Sequence, residues 1–357
     1  MRWLLIFLAM AITLPMPAQA ASALPPEVVA RSAIEGYIRP EFHRFAVETS
    51  ALAADVAALC DAPSEDALAK VQEQFRAVVL GFSRIEFVRI GPLTIADRME
   101  RLLFWPDRKG IALRQVQGAL ADKDETAADP AKLKEKSVAM QGLVALEYLL
   151  FGTGAEALGT GDDYRCRYAA ASSTLIAELG DTLDKEWADP NGQSDHMLAP
   201  QPTYDDFRTT TEVLEKLAAT LIHGTETIRD QRIMPIIGAA EGGPKPKSAL
   251  FWRSGMTVPA LAANFAGLHD YFIATNFTGA MGTTNEWIAK GAVFEFENAA
   301  RAAADIVDPI DVAVDNDPEL RALKYLVIIT GSLDTLLGEN LAAALGLSVG
   351  FSQLDGD

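Results

Sequence analysis

Apolar side chains recur along this chain at intervals of three and four. Phe42, Phe45, Leu52, Val56 and Leu59 do so in one segment, and Leu320, Leu323, Val327, Leu333 and Leu337 in another. That period gathers them on one face of a helix, whereas runs that alternate residue by residue between turn signals are scarce. The pattern therefore predicts an all-α fold. Long helices are expected over 26–60, 64–90, 129–151, 162–188, 204–231, 256–275, 285–306 and 318–346, and shorter ones over 95–104 and 110–121. Their starts carry capping chemistry. Asp129-Pro130 and Asp317-Pro318 each set an acid before a proline, Ser64 precedes Glu65 and Asp66, and Thr203 stands three residues before Asp206.

The clearest interruption is Asp189-Pro190-Asn191-Gly192-Gln193-Ser194, running on to Pro200 and Pro202, which offers no apolar stripe to bury. Four of the long helices precede it and four follow, so two packed antiparallel four-helix bundles are expected, over 21–190 and 191–357. A second insert, Gly238 to Pro246 with Gly242-Gly243-Pro244 inside it, reads as an exposed loop of the second bundle. Gly142-Leu143 against Gly267-Leu268 is a faint echo between the halves.

The N-terminus has another pattern. Arg2 is followed by an apolar run from Trp3 to Leu14 and by Ala18-Gln19-Ala20. This reads as a signal peptide over 1–20, cleaved after Ala20, and the run is too short to span a bilayer. The mature chain is expected to be periplasmic, with no transmembrane segment after cleavage. A formal charge of −18 makes nucleic acid an unsuitable partner. The chain has two cysteines, Cys60 and Cys166. An even count in an oxidising compartment points to a disulfide closing a loop of roughly 100 residues, against two buried free thiols as the other reading.

Two segments carry unusual chemistry. Between 82 and 114, Arg84, Glu86, Arg89, Asp107 and Arg114 are interleaved with apolar residues, including Phe104-Trp105-Pro106, so some of these charges must be partly buried and paired. The second, Gly142-Leu143-Val144-Ala145-Leu146-Glu147-Tyr148-Leu149-Leu150, holds one carboxylate in an apolar run. Glu147 then needs an arginine such as Arg84 or Arg89, a hydrogen-bonding network or a cation, since isolated burial would neutralise it. It is the first candidate site residue, for a ligand or a metal, with a helix-to-helix salt bridge as the structural reading.

Arg89-Ile90-Gly91-Pro92-Leu93, Phe104-Trp105-Pro106-Asp107, the segment from Gly142 to Leu150 and the ending Gly350 to Asp357 resemble segments of the imelysin-like family, also classed as a metallopeptidase family. The resemblance implies two helical bundles, an envelope location, a link to iron acquisition and a functional site near the junction of the bundles. It also raises iron or another divalent metal as the cofactor. The family signature Gly-x-His-x-x-Glu is degenerate here, because Val144 stands where the histidine would be. A His and a Glu three apart share a helix face and hold a metal together, whereas valine has no donor atom.

His43, His196, His223 and His269 are scattered, and His269 beside Asp270 is the reserve metal ligand next to Glu147. Arg253-Ser254-Gly255 reads as a helix start, or as a contact to the site. Asp355 and Asp357 read as an acidic tail, or as ligands for a hard cation. The candidate cleft thus comprises Glu147, Arg84, Glu86, Arg89, Trp105, Asp107, Arg253 and Ser254. The leading expectation is a non-enzymatic periplasmic binding or accessory protein in iron uptake, taking a metal ion or small ligand. One alternative is a metallopeptidase, against which Val144 argues. The other is a module that docks on an envelope iron transporter or receptor. A closed pocket converging on Glu147 would favour a small ligand, and an exposed cluster around Trp105 and Arg89 a protein partner.

Overall fold

The structure, a computed structural model, describes residues 23–107, 109–238 and 243–347, and every regular element among them is helical. The signal-peptide reading at 1–20 and the acidic ending with Asp355 and Asp357 lie outside the described residues. The longer helices are α1 (Pro26–Ala33), α2 (Arg39–Asp61), α3 (Glu65–Ile85), α4 (Ile111–Asp122), α5 (Gly142–Phe151) and α6 (Asp163–Ala188), followed by α7 (Thr210–Thr227), α8 (Thr257–Thr275), α9 (Glu286–Ala304) and α10 (Asp317–Asp334). π-helical turns extend three of them: Ile34–Ile38 joins α1 to α2, Ile228–Ile233 follows α7, and Thr335–Leu341 follows α10.

Two groups of helices result. In the first, α2 packs along α6 and α3, and α5 lies on α6. In the second, α9 packs between α10 and α8. The seam between the groups is α3 against α8, reinforced by α1, which lies on α7 and α8. Close approach at this seam depends on Gly267, where a Cβ would sit 2.9 Å from both Cα and the carbonyl oxygen of Arg84. One turn earlier Asn264 donates to the Ser83 carbonyl at 2.6 Å, so α8 is fixed to α3 by a polar contact as well as by packing. The first group is closed by a disulfide between Cys60 and Cys166, which links the end of α2 to the start of α6.

Several boundaries differ from the sequence reading for local physical reasons. The helix expected over 64–90 ends at Ile85, because the chain turns extended at Ile90 and Gly91 takes φ +70° ahead of Pro92. The helix expected over 129–151 is divided into Pro130–Leu133, Val138–Met140 and α5. The break before α5 lies at Gly142, whose φ of +69° and close contact with the Arg101 and Leu102 carbonyls no other residue type would tolerate. Asp129 does cap its short helix, accepting from Ala131 N at 3.0 Å. The helix expected from 204 starts at Thr210 behind a Thr209 cap, while Asp206 is engaged by His196 at 3.0 Å. At the last long helix the cap position is Asn316, and Asp317 is already helical.

The continuous run Asp317–Leu345, which contains an 18-residue window of mean hydropathy 1.2, is long and apolar enough to cross a membrane by length and composition, which the sequence reading did not expect of any segment. Here Leu323, Leu326, Ile329, Leu333, Leu337 and Leu341 on one of its faces are buried in the core, while Ile328 on the other is exposed.

Candidate functional site

α5 is short and apolar on nearly all sides, so it runs buried and presents its few functional positions to whatever packs on it. Facing it is the loop that leads into α8. That loop is held by backbone and side-chain bonds, from Met256 N to the Phe251 carbonyl at 2.9 Å and from the Thr257 hydroxyl to the Leu250 carbonyl at 2.7 Å. Phe251, fully buried against Phe75, sits at φ +59°, a conformation that bulky residues rarely hold unless their surroundings enforce it. The turn so formed presents Arg253 and Ser254 to α5.

Ser254 meets Glu147. The serine N–H donates to Oε1 at 3.0 Å and its hydroxyl at 2.8 Å, with both residues buried. Burial pushes the Glu147 carboxyl up, and the Ser254 N–H and hydroxyl together with the Arg253 charge pull it only part of the way back. The expectation that Arg84 or Arg89 neutralises Glu147 is therefore corrected: the partner is a serine, contributed from the other group of helices.

Beside this pair lies a cleft of about 430 Å³ between the two groups. Trp105, Asp107, Val116, Val144 and Tyr148 line it from the first group, and Gln231, Pro235, Lys245, Lys247 and Arg253 from the second. Trp105 spans the junction, its indole N–H donating to the Gln231 carbonyl at 3.3 Å. Asp107 is committed to local structure, because its two oxygens accept from Ile111 N and Ala112 N at 2.8 Å each and cap α4. The Arg253 guanidinium lies 4.6 Å from the Trp252 ring centroid and 5.4 Å from that of Tyr148. Lys247 stands 5.8 Å from the Trp252 ring.

The remaining predicted residues lie in the α3–α8 seam and do not line this cleft. Glu86 is buried and takes Arg232 Nη2 at 2.5 Å and Asn264 Nδ2 at 2.7 Å, leaving Arg232 Nε and Nη1 without hydrogen-bond partners. Arg89 packs beside them, and its burial pushes its pKa down against the pull of Glu86. Arg84 lies further along the seam, paired with Glu41 at 3.1 Å and Asp270 at 2.7 Å. His269 bonds Asp270 at 3.1 Å and packs edge-on to Phe296, and it is absent from the lining of the cleft beside Glu147. Of the predicted set the structure thus brings together Glu147, Ser254, Arg253, Trp105 and Asp107, and separates Arg84, Glu86, Arg89 and His269. Sequence reasoning did not single out Tyr148, Gln231, Lys245 or Lys247 as site residues. Lys245 belongs to the insert over 238–246 that read as an exposed loop and Lys247 directly follows it, and nothing in the composition there says that it borders a cleft.

The fold and this junction can now be set beside known proteins. The chain matches the sequence model of Peptidase_M75, Imelysin, over residues 38–329. The chain belongs to the imelysin family. No curated protein matches it. Among solved structures, an imelysin-like protein from Psychrobacter arcticum 273-4 is similar at a TM-score of 0.78 and 18% identity, over 93% of this chain and 100% of that one. A protein of Parabacteroides distasonis ATCC 8503, provisionally assigned as an iron-regulated protein A precursor, is similar at a TM-score of 0.71 and 13% identity, over 90% and 98% of the respective chains. At these identities the likeness establishes the fold.

Family membership raises a metal at the Gly142 to Glu147 segment, and the residues of this imelysin-family chain do not fit one. Val144 offers no donor, the Glu147 Oε1 is taken by Ser254, and the described residues contain no group of three or more His, Cys, Asp or Glu side chains able to hold a metal ion. A metal site made of protein ligands needs three or four such donors converging. Here the side chains that converge beside Glu147 include Lys245, Lys247 and Arg253, which repel cations.

Proposed function

We propose that this protein is an exported, non-enzymatic binding protein of iron acquisition that carries a small ligand in the cleft between its two groups of helices. The observation that carries the reading is the cleft itself. At about 430 Å³ it falls in the size range of small-molecule sites, and it combines aromatic walls with a few convergent polar groups. Membership of the imelysin family, the iron-regulated assignment of one structural relative and the signal-like pattern over 1–20 support the setting. The peptidase reading needs a metal with an open position and a general base. The donor set around Glu147 argues against it, since the motif histidine is Val144.

The test is to fill the cleft. Val144→Trp places a large ring in it and leaves Glu147 and Ser254 themselves unchanged. In a deletion strain grown under iron limitation, the wild-type gene is expected to restore growth. The Val144→Trp gene is expected to fail although its product accumulates and has an unchanged helical circular dichroism spectrum. Full restoration by the filled variant would sink the reading. Export is checked on the same strain: the protein is expected in the periplasmic fraction with Ala21 at its N-terminus, and a cytoplasmic protein that retains residues 1–20 would contradict it.

A further inference from the structure

The proposed ligand cleft has an uneven charge. Its lining includes three cationic side chains, Lys245, Lys247 and Arg253, and two acidic ones, Asp107 and Asp230. Both acids are engaged. Asp107 accepts from two helix N–H groups, and Asp230 is bound by Arg229 at 2.9 and 3.0 Å. None of the three cations forms an ion pair with a carboxylate among the described residues, although the chain as a whole carries a formal charge of −18; the carboxyl whose charge reaches Arg253 is the buried Glu147, which Ser254 already holds. In so acidic a protein carboxylates are plentiful, and other basic residues find them, as Arg84, Arg98 and Arg167 do. A cluster that forms no ion pair among the described residues, where two groups of helices meet, has its charge available to something else.

Arg253 is also held in position. The Trp252 and Tyr148 rings pack on its guanidinium, an arrangement that restrains the side chain, and the guanidinium N–H groups make no hydrogen bond among the described residues. A planar fork of this kind suits a carboxylate, which it grips with two parallel hydrogen bonds. Trp105 and Val116 add apolar wall beside it.

We infer that the ligand of this cleft is a small, multiply charged organic anion, a polycarboxylate, gripped by Arg253, Lys245 and Lys247. The inference rests on the reading of the cleft as the ligand site and deepens it. It also reconciles the setting of iron acquisition with the missing metal ligands, because three positive side chains repel a bare iron cation and attract an iron ion wrapped in an anionic chelator. The same chemistry is offered by the free polycarboxylate and by its iron chelate.

The experiment is isothermal titration of the purified mature chain with citrate, with ferric citrate, with the flat aromatic anion benzene-1,3,5-tricarboxylate, and with ferrous ion alone. At least one of the three anions is expected to bind with a Kd under about 1 mM, more weakly as salt is raised. Arg253→Ala and, separately, Lys247→Ala are each expected to weaken that binding about tenfold or more, the equivalent of one charge-assisted hydrogen bond. Lys247 is exposed, so its variant keeps the fold whatever happens at Arg253. Binding by citrate alone identifies the free anion as the source, and preference for ferric citrate identifies the chelate. No anion bound below 1 mM, anion binding unchanged in both variants, or stoichiometric binding of ferrous ion without an anion each overturns the inference. Any of these combined with failure of Val144→Trp to complement would overturn the anion and leave the carrier reading standing.

Discussion

Ser254 grips Glu147 twice, through its N–H at 3.0 Å and its hydroxyl at 2.8 Å, and in doing so ties the loop before α8 to α5 across the junction of the two groups of helices. Loss of the acceptor strands the Ser254 N–H where water does not reach, while the hydroxyl still has the Phe251 carbonyl at 3.1 Å. Glu147→Ala is therefore expected to destabilise the protein by about 2–4 kcal/mol, from an unpaired buried N–H plus a small cavity. Glu147→Gln keeps an accepting oxygen and is expected to cost about 1 kcal/mol or less. Urea unfolding monitored by circular dichroism measures both, and an alanine variant as stable as the wild type would refute the role given to this pair.

The same pair sets a pH dependence. Burial pushes the folded-state carboxyl of Glu147 above its ordinary value of 4.5. Between 4.5 and the raised value the folded chain holds a proton that the unfolded chain has released, so this group's contribution to stability declines as pH rises and levels off above the folded pKa. The melting temperature of the wild type is thus expected to lose ground to that of Glu147→Gln as pH is raised from 4.5. A wild type that gains on the glutamine variant over that interval would mean that Arg253 and Ser254 outweigh burial.

In the α3–α8 seam, Glu86 and Arg232 form a buried ion pair at 2.5 Å, each side chain 4% exposed. Removal of one partner leaves an uncompensated buried charge, so Arg232→Met alone is expected to cost about 3–5 kcal/mol. Adding Glu86→Gln should recover a large part of that loss, since desolvation of two charges offsets much of what their attraction contributes. A double variant as damaged as the sum of the single ones would show that the two residues act independently.

The disulfide joins residues 106 apart in sequence. Its removal in a Cys60→Ser, Cys166→Ser chain frees a long loop in the unfolded state and is expected to cost roughly 3–5 kcal/mol. Titration of thiols in denatured, unreduced protein should find none. Two reactive thiols would mean that the bond does not form.

What the residues alone determine is helix, and they point to a pairing of the two cysteines that the structure forms. The period of three and four along Phe42, Phe45, Leu52 and Val56 is a local property, because it follows from the angle between successive side chains, and it places α2 without knowledge of any neighbour. Capping is local too, and Ser64 and Asp129 act where their spacing says. The position of Glu147 as an isolated carboxylate in an apolar run was equally legible. Its partner was not: Ser254 lies 107 residues away, and many residue types can satisfy a buried carboxylate. Arg84 and Arg89 were suggested by the apolar residues interleaved with them, yet the close approach of α8 at Gly267 directs Arg84 to Glu41 and Asp270. The cleft and its charge likewise exist only in the folded chain. Lys245 and Lys247 are ordinary basic residues in and just after an insert until packing sets them opposite Trp105 and Tyr148. Secondary structure is fixed by neighbours along the chain, whereas which charges stay unpaired is fixed by neighbours in space, and for this protein the candidate function lies in the second.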